Sequence, residues 1–327
     1  MLKKFKVISL ILALALLLNL AACTQTTEQP TNTSTEEETN TESETNTDSN
    51  ETEEKDVLAQ AVEDYYSNMG DDIYKIPQDE FVNKVKDGED MFILDIRQPD
   101  VYNEGHIKGA VNAPWGTAIS ENLDKLPKSK PIMVYCYTGQ TAGQTVALLN
   151  MAGFDAKSVN LGWNLGISKV EGVADVTETD VNEFGQPTGI EIKPEVKTVI
   201  DEYFAGLADV KGTKYANYKI SEDNAKELLD KEDSSTMFLS IRKADHYAEG
   251  HIQGAENIPF GKDMYKEFNT LPKDKKIIVY CYTGQTAGQT VATLRVLGYD
   301  AVSLNGGAGM SVNEPHGWTN KGYPLVK

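Results

Sequence analysis

The chain has 327 residues, a formal charge of −19 and three cysteines. Acidity on that scale excludes recognition of nucleic acid through a basic face, so no nucleic-acid partner is expected. Residues 56–327 have the length of two ordinary domains.

The N-terminus reads in three parts. Lys3, Lys4 and Lys6 precede an apolar run over residues 7–18 that only Ser9 interrupts, and Leu20-Ala21-Ala22-Cys23 closes it. Basic, apolar and small segments in that order form a secretory signal peptide, and the apolar part falls short of the roughly 20 residues a membrane span needs. The closing four residues resemble the lipobox of bacterial lipoproteins. That resemblance implies cleavage after residue 22, lipidation of Cys23, and an extracytoplasmic protein anchored to the bacterial cell membrane by acyl chains. Residues 24–55 carry ten acids, one lysine and almost nothing apolar. With so little surface to bury, residues 23–55 are expected to be a lipidated cysteine followed by a disordered tether.

Beyond the tether the chain repeats itself. At a constant offset of 145, Arg97 falls on Arg242, Gly105-His106-Ile107 on Gly250-His251-Ile252, Pro114 on Pro259, Cys136 on Cys281 and Asn160 on Asn305. Each copy also begins alike: Val62-Glu63-Asp64-Tyr65-Tyr66 against Ile200-Asp201-Glu202-Tyr203-Phe204, and Tyr74-Lys75-Ile76 against Tyr218-Lys219-Ile220. The period is too long for a solenoid and describes a duplicated domain, divided here as residues 56–185 and 186–327. Within the first copy, residues 92–96, 132–135 and 156–159 are apolar runs of strand length, while 79–85 and 141–151 read as helices. Alternation of this kind predicts an α/β fold with a mostly parallel sheet and helices on both faces.

Cys136 follows the strand at 132–135, at the end of the sheet where ligands of such folds bind. The segment YCYTGQTAGQTVA occurs without change at residues 135–147 and 280–292. A loop curling around the sulfur aims successive backbone N–H groups at it, and the following helix adds the positive end of its dipole. Both favour thiolate over thiol. Gly139 supplies the permissive backbone of a tight loop, and Gly143 allows close packing of the first helical turn. Two readings stay open for Cys136 and Cys281: one disulfide between the copies, or a working thiol in each.

Leu94-Asp95-Ile96-Arg97, then residues 102–110 with Gly105-His106-Ile107, then Asn112-Ala113-Pro114, then a strand ending in Cys136 resemble the rhodanese family of sulfurtransferases. Leu239-Ser240-Ile241-Arg242, residues 247–255, Asn257-Ile258-Pro259 and Cys281 repeat the pattern. The resemblance implies two tandem domains, each with a five-stranded parallel sheet. It implies a thiosulfate sulfurtransferase-like enzyme whose catalytic cysteines, Cys136 and Cys281, pass a sulfane sulfur from thiosulfate, polysulfide or a persulfide to a thiol or cyanide through a cysteine persulfide. No cofactor or metal is called for. Donor binding is expected from Tyr137, Thr138, Gly139, Gln140 and Thr141, and from Tyr282, Thr283, Gly284, Gln285 and Thr286. Asp95 and Arg97 are expected to be structural, as a buried charge pair, Arg242 to be structural, and His106 and His251 to be structural or rim hydrogen-bonding groups.

Several departures from the family pattern matter. Ala142 and Ala287 stand sixth after cysteine, where related phosphatases place the arginine that grips an oxyanion, so phosphate chemistry is excluded. Some thiosulfate-using rhodaneses carry Arg or Lys in the loop; Tyr137, Thr138 and Thr141 stand there instead, which predicts weak thiosulfate binding. Ser240 replaces Asp95, so Arg242 needs another partner or water. A non-catalytic sulfur-carrier or redox-sensing module is the alternative to an enzyme.

Overall fold

The computed structural model describes residues 45–327, which form one compact unit. The expected signal peptide and Cys23 lie outside the described residues. Among the described residues, no helix is long and apolar enough to cross a membrane.

The first repeat runs α1 (Thr45–Ser67), β1 (Lys75–Ile76), α2 (Gln78–Lys86), β2 (Phe92–Asp95), α3 (Pro99–Glu104), β3 (His106–Ile107), β4 (Ala110–Asn112), α4 (Thr117–Ser120), β5 (Ile132–Tyr135), α5 (Gln140–Met151), β6 (Ala156–Val159) and β7 (Thr177–Glu178). The second runs α6 (Pro194–Ala205), α7 (Leu207–Val210), β8 (Lys219–Ile220), α8 (Glu222–Asp230), β9 (Thr236–Ser240), α9 (Ala244–Glu249), β10 (Glu256–Asn257), β11 (Lys276–Tyr280), α10 (Gln285–Val296) and β12 (Ala301–Leu304). Two five-stranded sheets result, ordered β1-β6-β5-β2-β4 and β8-β12-β11-β9-β10, and every pairing within them is parallel. The α/β architecture expected from the sequence is thus present twice.

Local chemistry explains the elements. β5 is buried at all four positions because helices cover both faces of a central parallel strand. α2 places Asp79 and Glu80 in its first turn and Lys84 and Lys86 in its last, each charge complementing the helix dipole. The Ser221 side chain accepts a hydrogen bond from Asn224 N and so caps α8.

One difference from expectation lies at the start. α1 begins at Thr45, so residues 45–55 of the expected disordered tether are helical. Leu58, Ala61, Val62, Tyr65 and Tyr66 are buried and anchor the C-terminal half of that helix. Once such a helix is nucleated, extending it by further residues costs little.

The core has three parts. Ile76, Phe81, Tyr102, Tyr135 and their neighbours fill the outer face of the first sheet, and Ile220, Phe238, Tyr280 and Trp318 fill that of the second. The inner faces of both sheets share one continuous cluster that includes Cys136, Cys281, α5 and α10. The leading helices are exchanged across it. Tyr66 of α1 packs on Phe260 and Phe268 of the second repeat, and its hydroxyl bonds Thr293 at 2.9 Å. Phe204 of α6 packs on Trp115 of the first repeat, and the Tyr203 hydroxyl donates to Gln144 at 2.5 Å.

Candidate active site

Cys136 is the residue after β5, and α5 opens four residues later. Gly139 takes φ +89, a left-handed conformation that glycine adopts without steric cost, and this turns the chain back over the sulfur. As a result the Gly139 N–H donates to Cys136 Sγ at 3.1 Å and the Ala142 N–H approaches at 3.4 Å. In the second repeat Gly284 has φ +94 and its N–H donates to Cys281 Sγ at 3.1 Å. Each sulfur therefore sits at the positive end of a 12-residue helix, facing backbone donors. Each strand end is pinned in turn, because Trp163 N donates to Cys136 O and Ala308 N to Cys281 O, both at 2.8 Å.

Both cysteines are free thiols, which settles the choice between a disulfide and separate thiols. Both are 2% exposed. No group of three His, Cys, Asp or Glu side chains is placed to hold a metal ion among the described residues.

The residues expected around the sulfur divide into two sets. Tyr137 and Tyr282 stay at the mouth: their hydroxyls accept from Gln98 N at 3.0 Å and Lys243 N at 3.2 Å. Thr138 and Thr283 lie on the same loops, beside Gly139 and Gly284. Thr141 and Thr286 lie in the first helical turn, where their carbonyls accept from the hydroxyls of Thr145 and Thr290. Gln140 and Gln285 do something else. Both are buried, and each sends its amide into the opposite repeat: Gln140 Nε2 donates to Ser303 Oγ at 2.6 Å and Leu304 O at 3.1 Å, while Gln285 Nε2 donates to Ser158 Oγ at 2.7 Å and Val159 O at 3.2 Å. Their place in the donor-binding set is corrected accordingly: these amides are engaged across the interface.

The same crossing explains Gly143 and Gly288. A Cβ on Gly143 would lie 2.3 Å from Gln285 O, and one on Gly288 would lie 2.2 Å from Gln140 O. α5 and α10 thus touch backbone to backbone, with the same residues on each side, as an isologous interface requires. Gln144 and Gln289 extend it, donating to Asn217 O at 3.3 Å and Ile73 O at 3.2 Å. Sequence reasoning gave these second glutamines no role. Their signal was present in the unchanged GQTAGQT of both copies.

Behind the loop, Asp95 and Arg97 form the expected buried pair, with Nη2 to Oδ2 at 2.6 Å. His106 is fully buried, stacked on Tyr102 with ring centroids 3.6 Å apart, and its two ring nitrogens meet Tyr102 O and Asp180 O. In the second repeat His246 Nδ1 lies 2.5 Å from the Tyr282 hydroxyl, a contact the sequence reading did not foresee. Val101 occupies that position in the first repeat.

A parallel α/β domain, present twice, with a thiol held at a helix N-terminus in each copy, defines the class. The Rhodanese-like domain profile matches residues 77–168 and 221–309, and the chain belongs to the rhodanese family. Over 72 residues it is 35% identical to the thiosulfate sulfurtransferase PspE of Escherichia coli, covering 21% of this chain and 68% of that protein. A sulfurtransferase of Allochromatium vinosum is 30% identical over 107 residues, 32% of this chain and 91% of that one. The putative sulfur carrier protein YrkF of Bacillus subtilis is 26% identical over 91 residues, 28% of this chain and about half (49%) of its own length. Among solved structures, a rhodanese-like domain protein from Staphylococcus aureus is 25% identical over 33% of this chain and 98% of its own, with a TM-score of 0.28.

Proposed function

We propose that this protein is a rhodanese-type sulfurtransferase with two working thiols, anchored outside the cytoplasm through Cys23. The observation that carries the reading is the repeated cradle, in which Gly139 N–H faces Cys136 Sγ and Gly284 N–H faces Cys281 Sγ at the N-termini of α5 and α10. Fixed dipoles of this kind stabilise an anionic sulfur without a histidine base. The thiolate attacks the sulfane sulfur of a donor; the new S–S bond forms as the donor's own bond breaks, and the electron pair leaves with the donor fragment, sulfite when thiosulfate is used. Cyanide or a thiolate then takes the outer sulfur from the persulfide and regenerates the thiolate.

A sulfur-carrier role is the second reading. It is favoured by the burial of both sulfurs and by loops that carry no charged side chain of their own.

One experiment separates the two. Purified protein is given thiosulfate or polysulfide with cyanide, thiocyanate is followed, and the intact protein is weighed for added sulfur. Turnover that falls by about half in Cys136→Ser or in Cys281→Ser, and vanishes in the double variant, supports the enzyme. Stable added sulfur without thiocyanate supports the carrier. Cys23→Ser moving the protein out of the membrane fraction supports the anchor.

A further inference from the structure

The uncharged loops leave a question: what balances a thiolate and an anionic donor in a site so buried? Lys75 and Lys219 open the edge strands β1 and β8, and their parallel registers pair Lys75 with Ser158 and Lys219 with Ser303. Residues in register on neighbouring strands project from the same face of a sheet. For Ser158 and Ser303 that face is the one turned to the opposite repeat, because their hydroxyls receive Gln285 and Gln140.

Two glutamines bracket each lysine. Gln140 binds Ser303, the register partner of Lys219, and Gln144 binds the carbonyl of Asn217, two residues before that lysine. Gln285 and Gln289 do the same to Ser158 and Ile73 around Lys75. Both glutamines of each pair belong to the loop and helix that follow the opposite repeat's cysteine. The lysine turns are also strained alike: Ile73 and Tyr74 take φ +50 and +54, and Asn217 and Tyr218 take +60 and +51. Non-glycine residues persist in that region only where their surroundings impose it.

Both lysines are half-buried, and among the described residues neither side-chain ammonium makes a hydrogen bond or an ion pair. Burial pushes the Lys75 ammonium below its ordinary range while the charge of Cys281 opposes that; for Lys219 the opposing charges are Cys136 and then Glu222. For both lysines the first of these opposing charges is the thiol of the other repeat.

We propose that the charge at each site is supplied in trans, with Lys219 serving Cys136 and Lys75 serving Cys281, to hold a small anionic sulfur donor such as thiosulfate against the thiolate. This rests on the sulfurtransferase reading and deepens it. As Sγ bonds to the outer sulfur of thiosulfate and the sulfur–sulfite bond breaks, two negative species must approach each other, and the ammonium offsets their repulsion. Neither repeat then has a complete site without the other, and the expectation of weak thiosulfate binding gives way to binding by a residue outside the loop.

The test uses the whole protein in two single-thiol forms, Cys281→Ser and Cys136→Ser, each combined with Lys219→Met or Lys75→Met. Thiosulfate:cyanide kinetics are measured, together with the rate of iodoacetamide alkylation at pH 7. With Cys136 alone, Lys219→Met is expected to raise the KM for thiosulfate and slow alkylation by about tenfold, the size of one nearby charge in a half-buried site. Lys75→Met should do the same with Cys281 alone. In each form the lysine of the opposite repeat has the larger effect, and Lys219→Arg restores most of the loss. Equal effects of both lysines on both thiols, or failure of arginine to rescue, overturns the assignment. If thiocyanate never forms but the crossed alkylation pattern appears, the charge pairing stands and the activity falls. Thiocyanate without the crossed pattern has the opposite meaning.

Discussion

The two repeats match along the cysteine segment and differ around the buried arginine behind it. On the outer side of the first sheet Arg97 is 1% exposed; it is gripped by Asp95, bonds Gly105 O at 2.8 Å and lies 4.2 Å from the Trp163 ring. Its counterpart Arg242 is 6% exposed and has Ser240 and Ala308 at those positions. It keeps the bond to Gly250 O at 2.5 Å, but its Nε is buried without a partner. The thirteen residues of the cysteine segment, by contrast, are unchanged. An isologous contact between α5 and α10 demands the same residue on both sides, and the sulfur cradle makes the same demand. Identity within the chain therefore has two physical sources, and function is only one of them.

Exchanging the arginine environments breaks the comparison most severely. Asp95→Ser leaves Arg97 buried without its carboxylate, and loss of one partner of a buried ion pair costs about 3–5 kcal/mol. Urea denaturation should show a drop of that order. Ser240→Asp, made in the second repeat, is expected to move stability the other way by about 1 kcal/mol as the orphaned Nε gains an acceptor. If the two changes prove equally neutral, the difference between the repeats has no energetic content.

The interface tests the opposite half of the comparison, the claim of symmetry. Gly143→Ala and Gly288→Ala each push a methyl group to within 2.3 and 2.2 Å of a backbone carbonyl, which neither helix can yield locally. Overpacking of this kind costs about 1–3 kcal/mol. The two values should agree closely in thermal denaturation, and a large inequality would show that the helices do not cross symmetrically.

Most of the fold was legible because its determinants are local. Apolar runs at 92–96, 132–135 and 156–159 mark central strands, and the constant offset of 145 doubles whatever one copy shows. The sulfur cradle was legible for the same reason: Cys136, Gly139 and the helix start lie within five residues. What escaped was whatever required knowing how the copies pack. Gln140 sits in the cysteine loop, so its spacing suggested a donor contact, yet its amide ends on Ser303, 163 residues away. Tyr74-Lys75-Ile76 and Tyr218-Lys219-Ile220 were visible as a repeat, but nothing local says that each lysine belongs to the other copy's thiol. Nor could polar composition reveal that residues 45–55 continue a helix whose anchor begins at Leu58.

The smallest expected difference concerns the straps that cover the two Gly-His-Ile segments. In the first repeat β3 pairs antiparallel with β7, whereas in the second His251 pairs with Val326. Only the first strap carries a carboxylate in this role. Burial alone would raise the Glu178 carboxyl, but hydrogen bonds from Gly109 N at 2.7 Å and Asn182 Nδ2 at 2.8 Å outweigh it, with His106 and Lys108 adding to their effect, and hold it below its ordinary value of 4.5. A carboxyl depressed on folding contributes stability that is present above its unfolded value and is lost as pH falls through its folded one. Glu178→Gln should therefore lower the melting temperature slightly at pH 7, by the equivalent of about 1 kcal/mol or less, and the gap to the parent should close as pH falls below 4.5. Hydrogen exchange at Gly109 N should quicken over the same range, with no matching carboxylate-driven change at His251 N. A gap that stays constant as the pH falls below 4.5 would mean that the backbone ladder alone holds the strap, and that the two repeats are fastened alike.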